Sequence, residues 1–202
     1  AQYFGQKNHN GVRDVFRMKI LIGIAIIAIS LSVMIFLHEP LINMFLHEGS
    51  SSGNIQETFN YAKNYLYIMV IGIAPFVISN CYNTTLKESG QTVVPMKAGV
   101  LAVVFDIVLN YIFIFGKLGF PAMGVVGAAI ATVISRFVEC GYLVIYTHRH
   151  SNDYPFIKHC YRTLKVPGSL VKKIIVTGTP LMLNEFLWAG GLTLQTQALS
   201  TK

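Results

Sequence analysis

An acid and an amide lie in the middle of a strongly apolar stretch of the sequence, where they could bind a small cation. They are Asp106 and Asn110, and their spacing of four residues puts both on one face of a helix. Carboxylate and amide oxygens are hard ligands of the kind that small cations prefer. Removal from water also favours a neutral carboxyl group, so Asp106 could hold a proton instead. The third interpretation is a hydrogen bond between the two side chains that only fixes helix packing.

A neighbouring apolar stretch carries a hydroxyl and an ion pair. Thr132 could add one more oxygen ligand, although a threonine in a membrane helix often bonds its own backbone. Arg136 and Glu139 are three residues apart and can pair on one helix face, which is a structural role. Gly127 belongs to a run of small residues that favours close helix packing.

A second ionisable group lies in the last apolar stretch. Glu185 follows Pro180 by about one helical turn, with Asn184 before it and Trp188 after it. A carboxylate at membrane depth is a candidate coupling or substrate site, and an indole face can bind an organic cation. Simple packing of Trp188 inside a helix bundle is the alternative interpretation.

The elements that hold these residues are long apolar helices. Of the 202 residues, 53% are hydrophobic and 12% are charged, whereas soluble domains average about 25% charged residues. A helix needs about 20 apolar residues to cross the hydrocarbon layer of a membrane. The sequence predicts an all-α, polytopic transmembrane bundle with five spans, at about 18–37, 61–85, 94–115, 124–146 and 170–199.

The cations alternate between connections, which predicts an orientation. Four lie at or before the start of the first span, none lies between the first and second spans, and the connection after the fourth span is the richest. Because cytoplasmic loops accumulate Lys and Arg, we expect the start of the chain and the 147–169 connection on the cytoplasmic side of the cell membrane. The net charge of +7 is thus spread over alternate loops, which disfavours nucleic acid as a partner and favours a lipid bilayer.

No motif for enzymatic chemistry is found in the sequence. A Walker loop, a GxSxG nucleophile elbow and an HExxH zinc motif are all absent, and the three cysteines do not have the spacing of a zinc site. We therefore expect no enzyme activity, no cofactor, and no metal beyond a Na⁺ ion at Asp106.

Several strings along the chain resemble those of the multidrug and toxic compound extrusion (MATE) transporters. They are AQYFGQKNHNGVR at the start, ESGQTVVPMKAG over 88–99, LNYIFIFG over 109–116, GFPAMGVVGAAIATVISR over 119–136 and TPLMLNEFLWAGG over 179–191. The resemblance runs along nearly the whole chain, and the fourth string is the most specific.

The resemblance implies a twelve-helix transporter of two six-helix lobes, of which this chain would hold about helices three to seven. Residues 1–146 would belong to the N-terminal lobe, 147–169 to a cytoplasmic linker between the lobes, and 170–202 to the first helix of the C-terminal lobe. The chain has no initial Met, so we expect a fragment whose partners include the missing helices of the same protein.

The resemblance also implies a function, which is a secondary antiporter that exports organic cations and drugs in exchange for inward Na⁺ or H⁺. Asp106, Asn110 and Thr132 match positions of a cation site in the family, with Asp and Asn in the reverse order. Glu185 resembles an acid on the family's seventh helix.

Two alternatives to an antiporter stay open at this point. One is a lipid-linked oligosaccharide flippase of the same superfamily, which is disfavoured because Arg136 is the only cation deep in a predicted span. The other is an inactive, truncated fragment.

Overall fold

The structure is a computed structural model that describes residues 2–43, 55–154, 156–158, 160–163 and 165–200. Every regular element among these residues is helical, which confirms the prediction of an all-α protein. The helices are α1 (Gln2–Gly5), α2 (His9–Phe36), α3 (His38–Asn43), α4 (Ile55–Glu88), α5 (Val93–Phe115), α6 (Gly124–Arg149) and α7 (Gly168–Ser200), with a short 3₁₀ turn at Cys160–Arg162.

Four of the helices, α2, α4, α5 and α6, are long and apolar enough to cross a membrane. They coincide with the first four predicted spans. Both α2 and α4 begin several residues earlier than predicted, because a helix can continue past the hydrocarbon layer into water. At the start of α2, the side chain of Asn8 accepts a hydrogen bond of 2.9 Å from the backbone N–H of Gly11, which caps the helix.

The fifth predicted span forms the helix α7, but α7 is not among the candidate spans found in the described part of the chain. Pro180, Asn184 and Glu185 lie near the middle of this helix and lower its hydropathy. Residues 201–202, the end of the predicted second-lobe segment, lie outside the described residues. That α7 crosses the membrane stays a prediction.

The four candidate spans pack side by side in the order α2, α4, α6, α5. The contact between α5 and α6 is close because Gly127 has no side chain, and a Cβ there would lie 2.8 Å from the carbonyl oxygen of Phe113. The predicted packing role of a small residue is confirmed at this position. Gly116 ends α5 in the left-handed conformation, with a φ of 64°, which few other residues adopt without strain.

Apolar side chains cover the outer faces of these helices. Ile29 of α2, Ile107 of α5 and Ile145 of α6 are 64%, 63% and 66% exposed. Soluble proteins rarely present apolar surface on this scale, whereas side chains that face lipid are expected to be apolar. The fold therefore belongs to a multi-pass membrane protein.

The largest core side chains gather at one end of the bundle, where α2 and α5 begin and α4 and α6 end. We refer to it as the linker end. Phe16, Tyr82, Leu86 and Leu143 are at most 2% exposed there. Four residues of the connection between α6 and α7 pack against them, namely Tyr154, Phe156, Ile157 and Cys160. The first part of this connection therefore folds onto the bundle.

Polar contacts hold this part of the connection in place. Nε of Arg17 donates a buried hydrogen bond of 2.9 Å to the carbonyl oxygen of Cys160, and its Nη1 lies 3.1 Å from the carboxylate of Asp14. The hydroxyl groups of Tyr82 and Tyr161 also form a hydrogen bond. Both α2 and α4 thus bind the connection.

We expect Gly127→Ala to destabilise the contact between α5 and α6, because the new Cβ would overlap the Phe113 backbone rather than a flexible side chain. Overpacking costs about 1–3 kcal/mol, so the thermal unfolding midpoint of the complete gene product should fall by several degrees. Gly141→Ala in the same helix is the control, because a Cβ there would have no heavy atom within 4 Å. Equal midpoints for the two variants would contradict the close contact.

The docked connection predicts a protected thiol at Cys160. This residue is 0% exposed, and burial raises the pKa of its thiol, although the Arg17 guanidinium opposes that shift. The thiolate that reacts with maleimide is therefore scarce at neutral pH. We expect Arg17→Met to speed maleimide labelling by about tenfold, because the loss of a buried hydrogen bond partner costs about 1–3 kcal/mol and lets the connection open.

The measurement uses the complete gene product with Cys160 as its sole cysteine. Arg149→Met serves as the control, since Arg149 is exposed at the end of α6. Labelling at the same rate in both variants and the parent would show that Arg17 does not hold the connection.

Candidate functional site

The two residues predicted to lie on one face of a helix meet in the structure. Nδ2 of Asn110 donates a hydrogen bond of 3.2 Å to Oδ2 of Asp106. Both side chains are half-buried on α5. The predicted proximity of the carboxylate and the amide is therefore observed, and their role in binding an ion stays a prediction.

A serine on α6 completes the group. Oγ of Ser135 lies 3.3 Å from Oδ1 of Asp106 and 2.8 Å from the backbone carbonyl oxygen of Thr132. A hydroxyl has only one proton to donate, and the shorter distance favours the carbonyl. Oδ1 of Asp106 therefore keeps acceptor capacity that a cation or a proton could use.

One oxygen in this group has no hydrogen bond donor. Oδ1 of Asn110 is buried and unpaired among the described residues, which is costly for a polar atom inside a membrane. Rotation of the amide by half a turn would place this oxygen beside Asp106. The carboxylate, the amide oxygen and the hydroxyl of Ser135 would then form a set of hard oxygen ligands such as small cations prefer.

The structure places the Thr132 side chain elsewhere. Thr132 lines a groove between α4 and α6, together with Phe76 and Arg136. Its backbone carbonyl, and not its hydroxyl, is linked to the group around Asp106 through Ser135. Thr132 was the predicted hydroxyl ligand, whereas the hydroxyl that the structure brings to Asp106 belongs to Ser135. Sequence reasoning missed Ser135, although it lies only three residues along the same helix.

The predicted second site on α7 is not brought to the first. Asn184, Glu185 and Trp188 are all exposed, with Trp188 at 66%. No hydrogen bond or ion pair within the described residues joins them to Asp106 or Asn110. Their role as a substrate or coupling site stays a prediction. In addition, no group of three or more His, Cys, Asp or Glu side chains in the described part of the chain could hold a metal ion.

The fold and the site together define a multi-pass helical membrane protein that holds a carboxylate, an amide and a hydroxyl between two of its spans. A family model described as MatE matches residues 1–112, which is more than half of the chain. The chain belongs to the MatE family, and the resemblance found in the sequence is confirmed.

Two similar proteins match this chain over nearly its whole length. The probable multidrug resistance protein NorM of Thermotoga maritima is 31% identical over 194 residues, which cover 95% of this chain and 39% of that protein. A protein of the same name from Halalkalibacterium halodurans is 30% identical over 204 residues, covering 100% of this chain and 42% of that protein. These names describe drug resistance, and no enzymatic activity is indicated.

A solved transporter structure is also similar to this chain. It is titled as the inward-facing conformation of a multidrug resistance MATE family transporter of the MOP superfamily, and it matches with a TM-score of 0.59 at 25% sequence identity. The match covers 72% of this chain and 31% of that chain. The present chain thus covers about two fifths, or less, of the length of each of these three proteins.

Ser135 and Thr132 can be compared directly as predicted ligands of a cation. We expect Ser135→Ala to weaken ion binding by about 2- to 10-fold, which is the range for one hydrogen-bonding group. Thr132→Val should leave ion binding unchanged, because the substitution keeps the backbone carbonyl of residue 132. The readout is the Na⁺ or H⁺ concentration that gives half-maximal thermal stabilisation of the complete gene product. A larger effect of Thr132→Val would instead favour the Thr132 hydroxyl as the ligand.

Proposed function

We propose that the complete protein is a secondary antiporter that exports organic cations and drugs in exchange for inward Na⁺ or H⁺. The observation that carries this proposal is the group of Asp106, Asn110 and Ser135 between α5 and α6, with a buried amide oxygen that accepts no hydrogen bond from the described residues. Membership of the MatE family supports it, as do relatives named as multidrug resistance proteins.

The ion would bind at Asp106, with oxygen ligands from Asn110 and from the Ser135–Thr132 turn of α6. A Na⁺ ion would accept electron pairs from these oxygens, whereas a proton would reside on the Asp106 carboxylate. In both cases the negative charge of Asp106 is neutralised, which removes an unfavourable charge from the membrane interior.

Alternating access would use two lobes that move against each other. The spans α2, α4, α5 and α6 would belong to the first lobe and α7 to the second. In this proposal the start of the chain and the 147–169 connection lie on the cytoplasmic side of the cell membrane. Since the transport cycle needs both lobes, we expect the isolated 202-residue chain to be inactive.

Efflux from vesicles tests the proposal. The complete gene product is reconstituted, a fluorescent organic cation is loaded, and a pH gradient or a Na⁺ gradient is imposed separately. We expect efflux under one of the two gradients. Asp106→Ala should abolish gradient-driven efflux while the protein still inserts, because the substitution removes the only carboxylate of the group.

Asp153→Ala is the matched control, since Asp153 is an exposed acid in the connection after α6. This variant should export at the parent rate. Normal efflux by Asp106→Ala would rule out Asp106 as the coupling residue. Absence of efflux by the inserted parent under both gradients would argue against the antiporter as a whole.

A further inference from the structure

An apolar crevice lies near the linker end of the bundle, where α2, α4 and α6 meet. Its volume is about 370 Å³, which is within the range of roughly 300–1,000 Å³ that is typical of ligand sites. Its walls are mainly aliphatic and include Ile20 of α2, Ile78 of α4 and Val144 of α6. Tyr161 of the connection after α6 also lines it, so the docked connection forms part of the same site.

The crevice is elongated along the helices. On α2 it extends from Ile20 to Ile27, a length of about 10 Å at 1.5 Å per residue. Its floor is a close approach of α2 to α4, since a Cβ at Gly23 would lie 2.9 Å from Cγ1 of Val77. A long site that runs parallel to membrane helices matches a hydrocarbon chain better than it matches a ring.

The crevice is open on the outer surface of the described helices. Ile24 and Ile78 line it and are 54% and 41% exposed. Apolar side chains with this exposure are typical of a surface that faces lipid. A hydrocarbon chain can therefore enter the crevice from the side.

The lining of the crevice offers no charge to an occupant. Its polar groups are the thiols of Cys81 and Cys140 and the hydroxyls of Tyr82 and Tyr161. The two hydroxyl groups form a hydrogen bond with each other, and the Cys81 thiol lies 3.5 Å from the Lys19 carbonyl oxygen as its donor. Because an unpaired charge is costly in such surroundings, the composition favours an apolar occupant.

The connection that lines one end of the crevice is strongly basic. Arg162 follows Tyr161 in the same 3₁₀ turn. It is exposed and has no hydrogen bond or ion pair with another described residue. Residues 147–173 include one acid, Asp153, and six cations, which are Arg149, Lys158, Arg162, Lys165, Lys172 and Lys173. An occupant that carries a negative charge at this end therefore has a complementary partner.

We propose that the crevice binds one acyl chain of an anionic phospholipid, whose headgroup lies beside Arg162. The chain supplies the apolar contact along α2, and the phosphate supplies the charge that Arg162 lacks. Because α2, α4, α6 and the connection all line the crevice, the bound lipid would hold the connection on the bundle. The inference concerns a lipid site and does not depend on the export function.

Protection of a thiol inside the crevice measures lipid binding. The complete gene product, with Cys140 as its sole cysteine, is purified free of lipid and labelled with a small, membrane-soluble thiol reagent. Phosphatidylglycerol or phosphatidylcholine with the same acyl chains is then added in increasing amounts. We expect phosphatidylglycerol to protect Cys140 at an about fivefold lower concentration, the effect of one basic residue on an anionic lipid.

Two arginine variants test the position of the headgroup. Arg162→Gln should remove the preference for phosphatidylglycerol and leave protection by phosphatidylcholine unchanged. Arg149→Gln removes another exposed cation, at the end of α6, and should keep the preference. Equal protection of the parent by the two lipids would overturn the inference. Equal loss of the preference in the two variants would also overturn it, because the attraction would then belong to the whole basic surface.

Two tryptophan variants test the position of the acyl chain. Ile24→Trp fills the crevice, so Cys140 should react slowly without lipid and show no further protection when lipid is added. Ile29→Trp is the control on the same helix, at a residue that is 64% exposed and does not line the crevice, and it should behave like the parent. Undiminished protection in Ile24→Trp would overturn the inference. An unreactive Cys140 in the lipid-free parent would overturn it as well, because another part of the complete protein would then fill the crevice.

Discussion

The contact between Gly127 and the Phe113 backbone sets the register of α5 against α6, and the polar group between the two helices depends on that register. The helices run antiparallel. A residue about two turns before Phe113 on α5 therefore faces a residue about two turns after Gly127 on α6. Those residues are Asp106 and Ser135, whose oxygens are 3.3 Å apart. A side chain at position 127 would separate the helices and lengthen this distance.

Local spacing explains which parts of the site could be predicted. Asp106 and Asn110 are four residues apart on one helix, so their contact follows from helix geometry alone. Thr132 and Ser135 are one turn apart on α6, and which of their hydroxyls faces α5 depends on how α6 packs against α5. The small residues of α6 indicate that another helix approaches closely at Gly127, but they do not indicate which residue of α5 lies there, so the register could not be predicted.

The connection after α6 makes a second contact that the sequence pattern did not predict, in this case between residues far apart in the chain. Its basic residues predict a cytoplasmic location and the family resemblance implies a linker, and the structure adds that its first part packs against the linker end of the bundle. The hydrogen bond from Arg17 to the Cys160 carbonyl joins residues 143 positions apart. The apolar residues Tyr154, Phe156 and Ile157 were the available signal, because a fully solvated linker has no need of them.

The helix α6 contributes to both the oxygen group on α5 and the groove beside α4. Successive residues of a helix point about 100° apart, so Ser135 faces the oxygen group on α5 while Arg136 faces Phe76 on α4. The Thr132 carbonyl accepts from Ser135, and the Thr132 side chain lines the groove beside Arg136. A rotation or shift of α6 would therefore change the oxygen group around Asp106 and the walls of the groove together. Coupling between two sites requires an element whose arrangement both of them bias, and among the described helices α6 supplies side chains to both.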